Sequence, residues 1–162
     1  MADISTLRLL LRPLALEDAE AYGRLLRDPA VHPFVVENGP VPQSQILDRI
    51  AHKQREWLLG TGATWAVLRG LELIGYVALH GLGRPRVAIS YALMPSAHGA
   101  GLGREAVTAV LTGARSLGFT EVEARTHHTN DASVRLLRAV GFVELEPIDS
   151  PPRRVFVWST AS

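Results

Sequence analysis

Ser96-Ala97-His98-Gly99-Ala100-Gly101-Leu102-Gly103-Arg104-Glu105-Ala106 is the stretch on which the fold turns. Upstream of it, residues 86–94 read as a strand. Downstream, Leu102, Ala106, Val110, Ala114 and Leu117 recur at helical spacing until Gly118 ends the stripe. Glycines at alternate positions therefore join a strand to the N-terminus of an amphipathic helix. Such glycines let backbone N–H groups crowd toward one point, and the helix dipole adds partial positive charge there. A phosphate or pyrophosphate suits that arrangement; the plainer reading is a flexible turn before a helix.

Two phosphate motifs can be tested against the stretch. Gly101-Leu-Gly-Arg-Glu-Ala106 fits the G-x-G-x-x-A form of a dinucleotide fingerprint, with Glu121 or Glu123 about 20 residues on. That fingerprint needs its first glycine directly off the strand, but residues 95–100 intervene. About sixty residues follow the loop, too few for the rest of a dinucleotide-binding sheet. A G-x-x-x-x-G-K-[ST] loop does not occur in the chain.

Outward from the loop, residues 6–14 alternate as a first strand ended by Pro13. Residues 17–28 form an amphipathic helix with Ala19, Tyr22, Leu25 and Leu26 on one face. Residues 30–42, broken by Pro33, Pro40 and Pro42, read as a loop with room for a short helical turn. Ser44 is placed to cap a second helix that runs to about Leu59, with Ile46, Ile50 and Trp57 inward. Residues 64–69 and 71–79 make a hairpin turned at Gly70, and residues 86–94 a third middle strand. After the helix at 102–117 come a strand at 120–126 and a helix at 130–140 closed by Gly141. Strands at 142–145 and 154–158 end the pattern, separated by the turn-rich 147–152. The order is β-α-α-β-β-β-α-β-α-β-β. That order calls for an α/β (α+β) architecture, a mixed sheet of antiparallel strands with one parallel crossover pair and helices on its faces. The whole chain, 1–162, reads as one domain.

Composition narrows the function. The chain is 47% apolar and 20% charged, an ordinary globular balance. Seventeen basic residues face sixteen acidic ones, a net charge of +1, which gives little ground for a nucleic-acid binder held by phosphate contacts. Lys53 is the only lysine, a bias for which genome composition is the simplest account. There is no cysteine, so disulfides, thiolate metal sites and a cysteine nucleophile are excluded. No metal site is expected. The opening residues MADISTLRLLLRPLALEDAE, interrupted by Arg8 and Arg12, read as neither signal peptide nor membrane span, and no later apolar run approaches the ~20 residues that cross a bilayer. A cytoplasmic chain without membrane partners is expected.

The pattern resembles the GNAT acetyltransferase superfamily, most closely the branch of ribosomal-protein N-terminal (alanine/serine) acetyltransferases. The matching pieces run in order along nearly the whole chain: Thr6-Leu-Arg-Leu-Leu-Leu-Arg-Pro13, Ile74-Gly75-Tyr76, Ile89-Ser-Tyr-Ala-Leu-Met-Pro95, His98-Gly-Ala-Gly-Leu-Gly-Arg-Glu-Ala106, and Asn130-x-x-Ser133 through Gly141-Phe142. The resemblance implies a GNAT fold and transfer of an acetyl group from acetyl-CoA to a primary amine. Its glycine loop and helix N-terminus, here His98, Gly99, Ala100, Gly101, Leu102, Gly103 and Arg104, would cradle the pyrophosphate of acetyl-CoA. His98 stands where relatives carry glutamine, arginine or tryptophan. Arg104 either meets a phosphate or is simply solvated.

The same resemblance implies that the strand ending at Leu93-Met94 splays from its parallel neighbour and pairs with the pantetheine arm. An oxyanion would be met by backbone N–H near Met94. Asn130 would contact the cofactor while capping its helix, and Ser133 would sit by the sulfur as hydrogen-bond donor or acid. Other members place an acidic tyrosine where this chain has Leu137, and many place a glutamate base where it has Ala88. Glu72, His80, His127 and His128 remain as base candidates, with His80 the choice. An α-amino acceptor would need no strong base. With no thiol for a covalent intermediate, direct attack in a ternary complex is expected. Phe34, Trp57, Trp65 and Tyr76 would line the acceptor side, with Glu37 to greet a cationic amine. The acceptor is a protein N-terminus or a small amine such as an amino acid, polyamine or antibiotic; a silent acyl-CoA-binding module is the reading of another class. Family members often form homodimers.

Overall fold

The computed structural model describes residues 1–36, 38–146 and 153–160. Its elements are β1 (Ile4–Ser5), β2 (Leu10–Pro13), α1 (Ala19–Arg27), α2 (His32–Val35), α3 (Ile46–Leu59), β3 (Gly62–Arg69), β4 (Glu72–His80), β5 (Val87–Leu93), α4 (Leu102–Ser116), β6 (Glu121–His127), α5 (Asp131–Val140), β7 (Val143–Glu144) and β8 (Arg153–Ser159). One eight-stranded sheet carries them in the order β1-β2-β3-β4-β5-β6-β8-β7. Every neighbouring pair is antiparallel except β5 and β6, which are joined by the α4 crossover. This is the mixed sheet with one parallel pair that the alternation of periods predicts.

Helices cover both faces. Leu102, Ala106, Val110, Ala114, Val134 and Leu137 of α4 and α5 pack against Val67, Val77, Ile89 and Phe156 on one side. Tyr22, Leu25, Leu26, Ile46 and Ile50 of α1 and α3 pack against Ala66, Leu68, Tyr76 and Ala92 on the other. Alternate residues of a strand point to opposite faces, so each middle strand feeds both cores, and β3 and β4 are buried along nearly their whole length. An ion pair between half-buried Arg12 and buried Asp18 ties the sheet to the first helix. Arg12 makes two hydrogen bonds of 2.8 Å to the Asp18 carboxylate, which also accepts from the Ala15 N–H at 2.8 Å.

Three local expectations are corrected. The first strand is two strands, because the chain turns at residues 6–9: Thr6 N–H donates to Leu9 O at 2.9 Å, and Leu7 is thrown into solvent. Ser44 does not cap α3. It lies in a 3-10 turn (Gln43–Gln45), and Gln45 holds the cap position without a side-chain hydrogen bond. Leu117 leaves the apolar stripe since α4 stops at Ser116; the reversal, with Phe119 N–H donating to Ala114 O at 3.1 Å, brings Phe119 onto the core instead. The proline-broken segment does hold the short helix α2. The turn expected at 147–152 lies outside the described residues.

Gly75 is the tightest point of the sheet. A Cβ there would collide with the Ala92 carbonyl oxygen and stand 3.0 Å from Leu93 Cα, so β4 and the end of β5 are apposed more closely than any other residue permits. Gly75→Ala is expected to cost about 1–3 kcal/mol through backbone displacement. Urea denaturation would read this as a lower midpoint at unchanged slope; an unaltered midpoint would show that the close approach is not needed.

Candidate active site

β5 and β6 pair at only three positions, Val87↔Val122, Ala88↔Glu123 and Ile89↔Ala124. Beyond them β5 continues to Leu93 and β6 to His127 without each other. β4 follows β5 to its end, with Gly75 opposite Leu93, and β8 follows β6 to His127. Each strand thus keeps its outer partner and loses its inner one. The hydrogen bond from Met94 N–H to Ile74 O (2.7 Å) fixes which backbone groups face β4. By alternation, those of Tyr91 and Leu93 face the opening. A cleft of about 1530 Å³ runs through this gap. Its walls include Leu93, His98, Gly99, Gly101–Arg104, Asn130 and Ser133 on one side, and Phe34, Arg49, Lys53, Tyr76 and His80 on the other.

The glycine loop forms the floor on the α4 side. Residues Pro95–Ala97 make a 3-10 turn, and Gly99 (φ +81°) and Gly101 (φ +76°) then take left-handed conformations that bring the chain into α4. The first turn of a helix leaves its N–H groups without intrahelical partners, so those of residues 102–104 are available at the cleft. Gly103 has a different reason: a Cβ there would lie 2.7 Å from Leu136 Cδ1 of α5. Arg104 is exposed on the rim. Ala100 and Met94 are not lining residues; Ala100 turns its carbonyl to Arg8, and the Met94 N–H is committed to Ile74.

A clamp from the other end of the chain holds this loop, and sequence reasoning missed it. Glu105, in the first turns of α4, accepts from Thr6 Oγ1 (2.7 Å), Arg8 N–H (2.9 Å) and Arg8 Nε (2.7 Å). Arg8 Nη1 also donates to Ala100 O at 2.8 Å. The Thr6 hydroxyl first, and the Arg8 backbone and guanidinium after it, hold the Glu105 carboxyl below the usual carboxylate range. The contacts are nearly a hundred residues apart in sequence, so no local pattern announces them.

Ser133 and His80, the two residues expected to carry proton transfer, lie on opposite faces of β5. Ser133 is on the first turn of α5, where Asn130 is the N-cap and its Oδ1 accepts from Ser133 N–H at 3.2 Å. The Ser133 hydroxyl lies 2.6 Å from the Tyr91 hydroxyl. Burial pushes the Tyr91 phenol up to about 12, against the hydrogen bond from Ser133, so it stays protonated at neutral pH. Across the strand, His80 Nε2 lies 2.7 Å from Ser90 Oγ. Burial, then the charge of Lys53, lowers the His80 pKa below its ordinary value, with Glu56 opposing. The ring is therefore neutral at pH 7. Adjacent residues of one strand, Ser90 and Tyr91, thus carry a polar pair to each side of the gap. Neither was singled out in the sequence, although alternation from Leu93 puts Tyr91 on the α5 face.

The other base candidates are placed elsewhere. Glu72 is exposed at the start of β4. His127 bonds Thr129 Oγ1 at 2.7 Å, stacks on His128 at 4.5 Å and meets Phe34 at 5.9 Å, outside the lining. Trp57 and Trp65 pack edge to face at 5.2 Å within the core and do not reach the cleft, whereas Phe34 and Tyr76 do. Glu37 lies outside the described residues. Among the described residues there is no group of metal-ligating side chains, and no helix is long and apolar enough to cross a membrane.

A family model described as an acetyltransferase (GNAT) domain matches residues 8–143. The chain belongs to the GNAT acetyltransferase family. Solved structures of the same fold include RimL, a ribosomal L7/L12 alpha-N-protein acetyltransferase in complex with coenzyme A, at 16% identity and a TM-score of 0.86 over 97% of both chains. RimJ of Mycobacterium smegmatis, in complex with a CoA disulfide, is 18% identical with a TM-score of 0.84, covering 99% of this chain and 90% of that one. An acetyltransferase of Salmonella typhimurium that modifies the N-terminal serine of 50S subunit protein L7/L12 is 16% identical with a TM-score of 0.83, over 97% and 98%. No sequence among the curated proteins matches significantly.

For this GNAT protein the clamp makes a sharp expectation. A carboxyl whose folded pKa is lowered stabilises the fold while ionised, and loses that contribution as pH falls below the ordinary glutamate value and through the lowered one. Glu105→Gln is expected to melt below the wild type at pH 7, with the gap closing as pH falls below the ordinary carboxylate range. Parallel melting curves across that range would contradict the clamp.

Proposed function

We propose that this GNAT protein is a cytoplasmic acetyl-CoA-dependent N-acetyltransferase whose acceptor is the α-amino group of a protein N-terminus. The observation that carries the reading is the juxtaposition of a glycine-loop helix N-terminus with a parted β5–β6 pair, leading to polar pairs on both faces of β5. The CoA-bound states of RimL and RimJ, and the ribosomal L7/L12 acceptor of RimL and of the Salmonella enzyme, support it by analogy of fold. One domain spanning 1–162 would perform the reaction.

The residues present fit acetyl-CoA. Backbone N–H groups of 102–104 suit its pyrophosphate, and Arg104 adds a cation at the rim. The free backbone edge of Tyr91 and Leu93 suits an extended amide-bearing arm, added as an extra strand. His98 Nε2 lies 2.9 Å from Leu93 O, so such an arm takes over a hydrogen bond that the ring makes in its place. When bound, acetyl-CoA supplies an acyl group activated as a thioester. The acceptor nitrogen forms the new bond to the acyl carbon, and the carbon–sulfur bond breaks. His80, neutral and lining the acceptor side, takes the proton from nitrogen. Ser133 delivers its hydroxyl proton toward sulfur while Tyr91 holds that hydroxyl in place at 2.6 Å, and water returns a proton to the serine. The departing thiol has an ordinary pKa near 8.5, so this acid assists without being indispensable.

The test is release of CoA thiol from acetyl-CoA over a panel of N-terminal peptides and small amines, with acetyl-CoA binding followed by calorimetry. Binding with turnover on peptides is expected. Turnover on small amines alone would replace the acceptor, binding without turnover on any amine would favour a silent acyl-CoA-binding module, and no binding would remove the proposal. Ser133→Ala and Tyr91→Phe are each expected to lower kcat about tenfold or more with the acetyl-CoA Kd unchanged.

A pH profile separates the base from the acceptor. The wild-type kcat/KM is expected to rise through an apparent pKa below 6.5 from His80 and again near 8 as the α-amine loses its proton. In His80→Gln the lower limb disappears and the upper one stays. A lower limb that survives the substitution would remove His80 as base.

A further inference from the structure

Among the described residues, the acceptor wall presents no carboxylate to a cationic amine. No aspartate or glutamate occurs among the described residues that line the cleft. Cations occur there instead. Gln45, Arg49 and Lys53 follow one another at four-residue spacing along the α3 face and all line the acceptor side with His80 and Tyr76. Lys53 is paired with Glu56 at 3.0 Å, but Glu56 is not a lining residue. Arg49 has no carboxylate partner among the described residues, and its Nε is buried without any hydrogen-bond partner. Its remaining interactions are with the phenols of Tyr22 and Tyr76, which are neutral because burial raises both pKa values.

A half-buried guanidinium with an unused donor, and no counter-ion among the described residues, is costly unless an anion completes it. Guanidinium offers several N–H donors in a fixed fork that matches a carboxylate. The chemistry of the attack points the same way. An amine must be neutral to attack, and an unpaired carboxylate beside it would hold it as ammonium, whereas neighbouring cations favour the neutral form and a guanidinium that pairs the acceptor's own carboxylate cancels that pull. We propose that the acceptor of this site carries a carboxylate within about one residue of its amine, and that Arg49, with Lys53 beside it, holds that carboxylate. The inference rests on the acetyltransferase reading above and narrows its acceptor. The carboxylate comes either from a free α-amino acid or from an acidic side chain next to a peptide N-terminus.

Matched pairs distinguish these sources: alanine against alaninamide, and an amidated peptide beginning Ser-Asp-Glu against one beginning Ser-Asn-Gln. The carboxylate member of at least one pair is expected to show a kcat/KM about tenfold higher or more, shrinking as salt is raised. The pair that responds identifies the source. Arg49→Gln and Lys53→Gln are each expected to bring that ratio toward one with an unchanged acetyl-CoA Kd, and Arg49→Lys to keep part of it. Equal rates within both pairs, or faster amides, overturn the inference while leaving the acetyltransferase standing. If no amine is acetylated, the acetylated products of the same pairs are titrated into the CoA-bound protein. Tighter binding of the carboxylate products then upholds the charge recognition although catalysis has failed, and equal binding overturns it.

Discussion

The parallel pairing of β5 and β6 lasts from Val87↔Val122 to Ile89↔Ala124 and then stops, although both strands continue. A sheet interior normally gives up no backbone hydrogen bonds, because buried unpaired N–H and C=O groups are costly. Here the groups of Tyr91 and Leu93 are released into a cleft, and the structure compensates in two ways. His98 reaches over to the Leu93 carbonyl, and the opening is wide enough for an extended ligand edge. The apposition at Gly75 keeps β5 on β4, so the gap opens toward β6 and nowhere else.

Electrostatics then divide the cleft. On the α4 side the charge is built from backbone: a helix N-terminus, entered through two left-handed glycines and fixed by Glu105 to Thr6 and Arg8. On the α3 side it is built from side chains, Arg49 and Lys53, with neutral phenols and a neutral imidazole around them. The two sides meet at Ser90 and Tyr91, so one β-strand positions the proposed base and the proposed acid through opposite faces of its pleat.

Legibility in the sequence followed interaction range. The α4 stripe from Leu102 to Ala114 and the glycines closing α3 and α5 are local signals, and the elements they announce are present. The same holds for the Asn130 cap, whose partner is three residues away. Failures occurred where a distant partner overrode local preference. The 6–14 alternation breaks because Thr6 and Arg8 turn to meet Glu105, and the tryptophans assigned to the acceptor wall pair with each other in the core. Arg49 and Tyr91 were invisible as site residues because their meaning comes from what faces them across the fold, not from their neighbours in the chain.

Amide hydrogen exchange with and without acetyl-CoA tests the central claim, that the parted strands and the glycine loop together form the ligand seat. The account predicts new protection at residues 91–93 and 98–104 and little change on β3 or β8. Saturable binding that leaves the end of β5 and the glycine loop as exchangeable as before would contradict it.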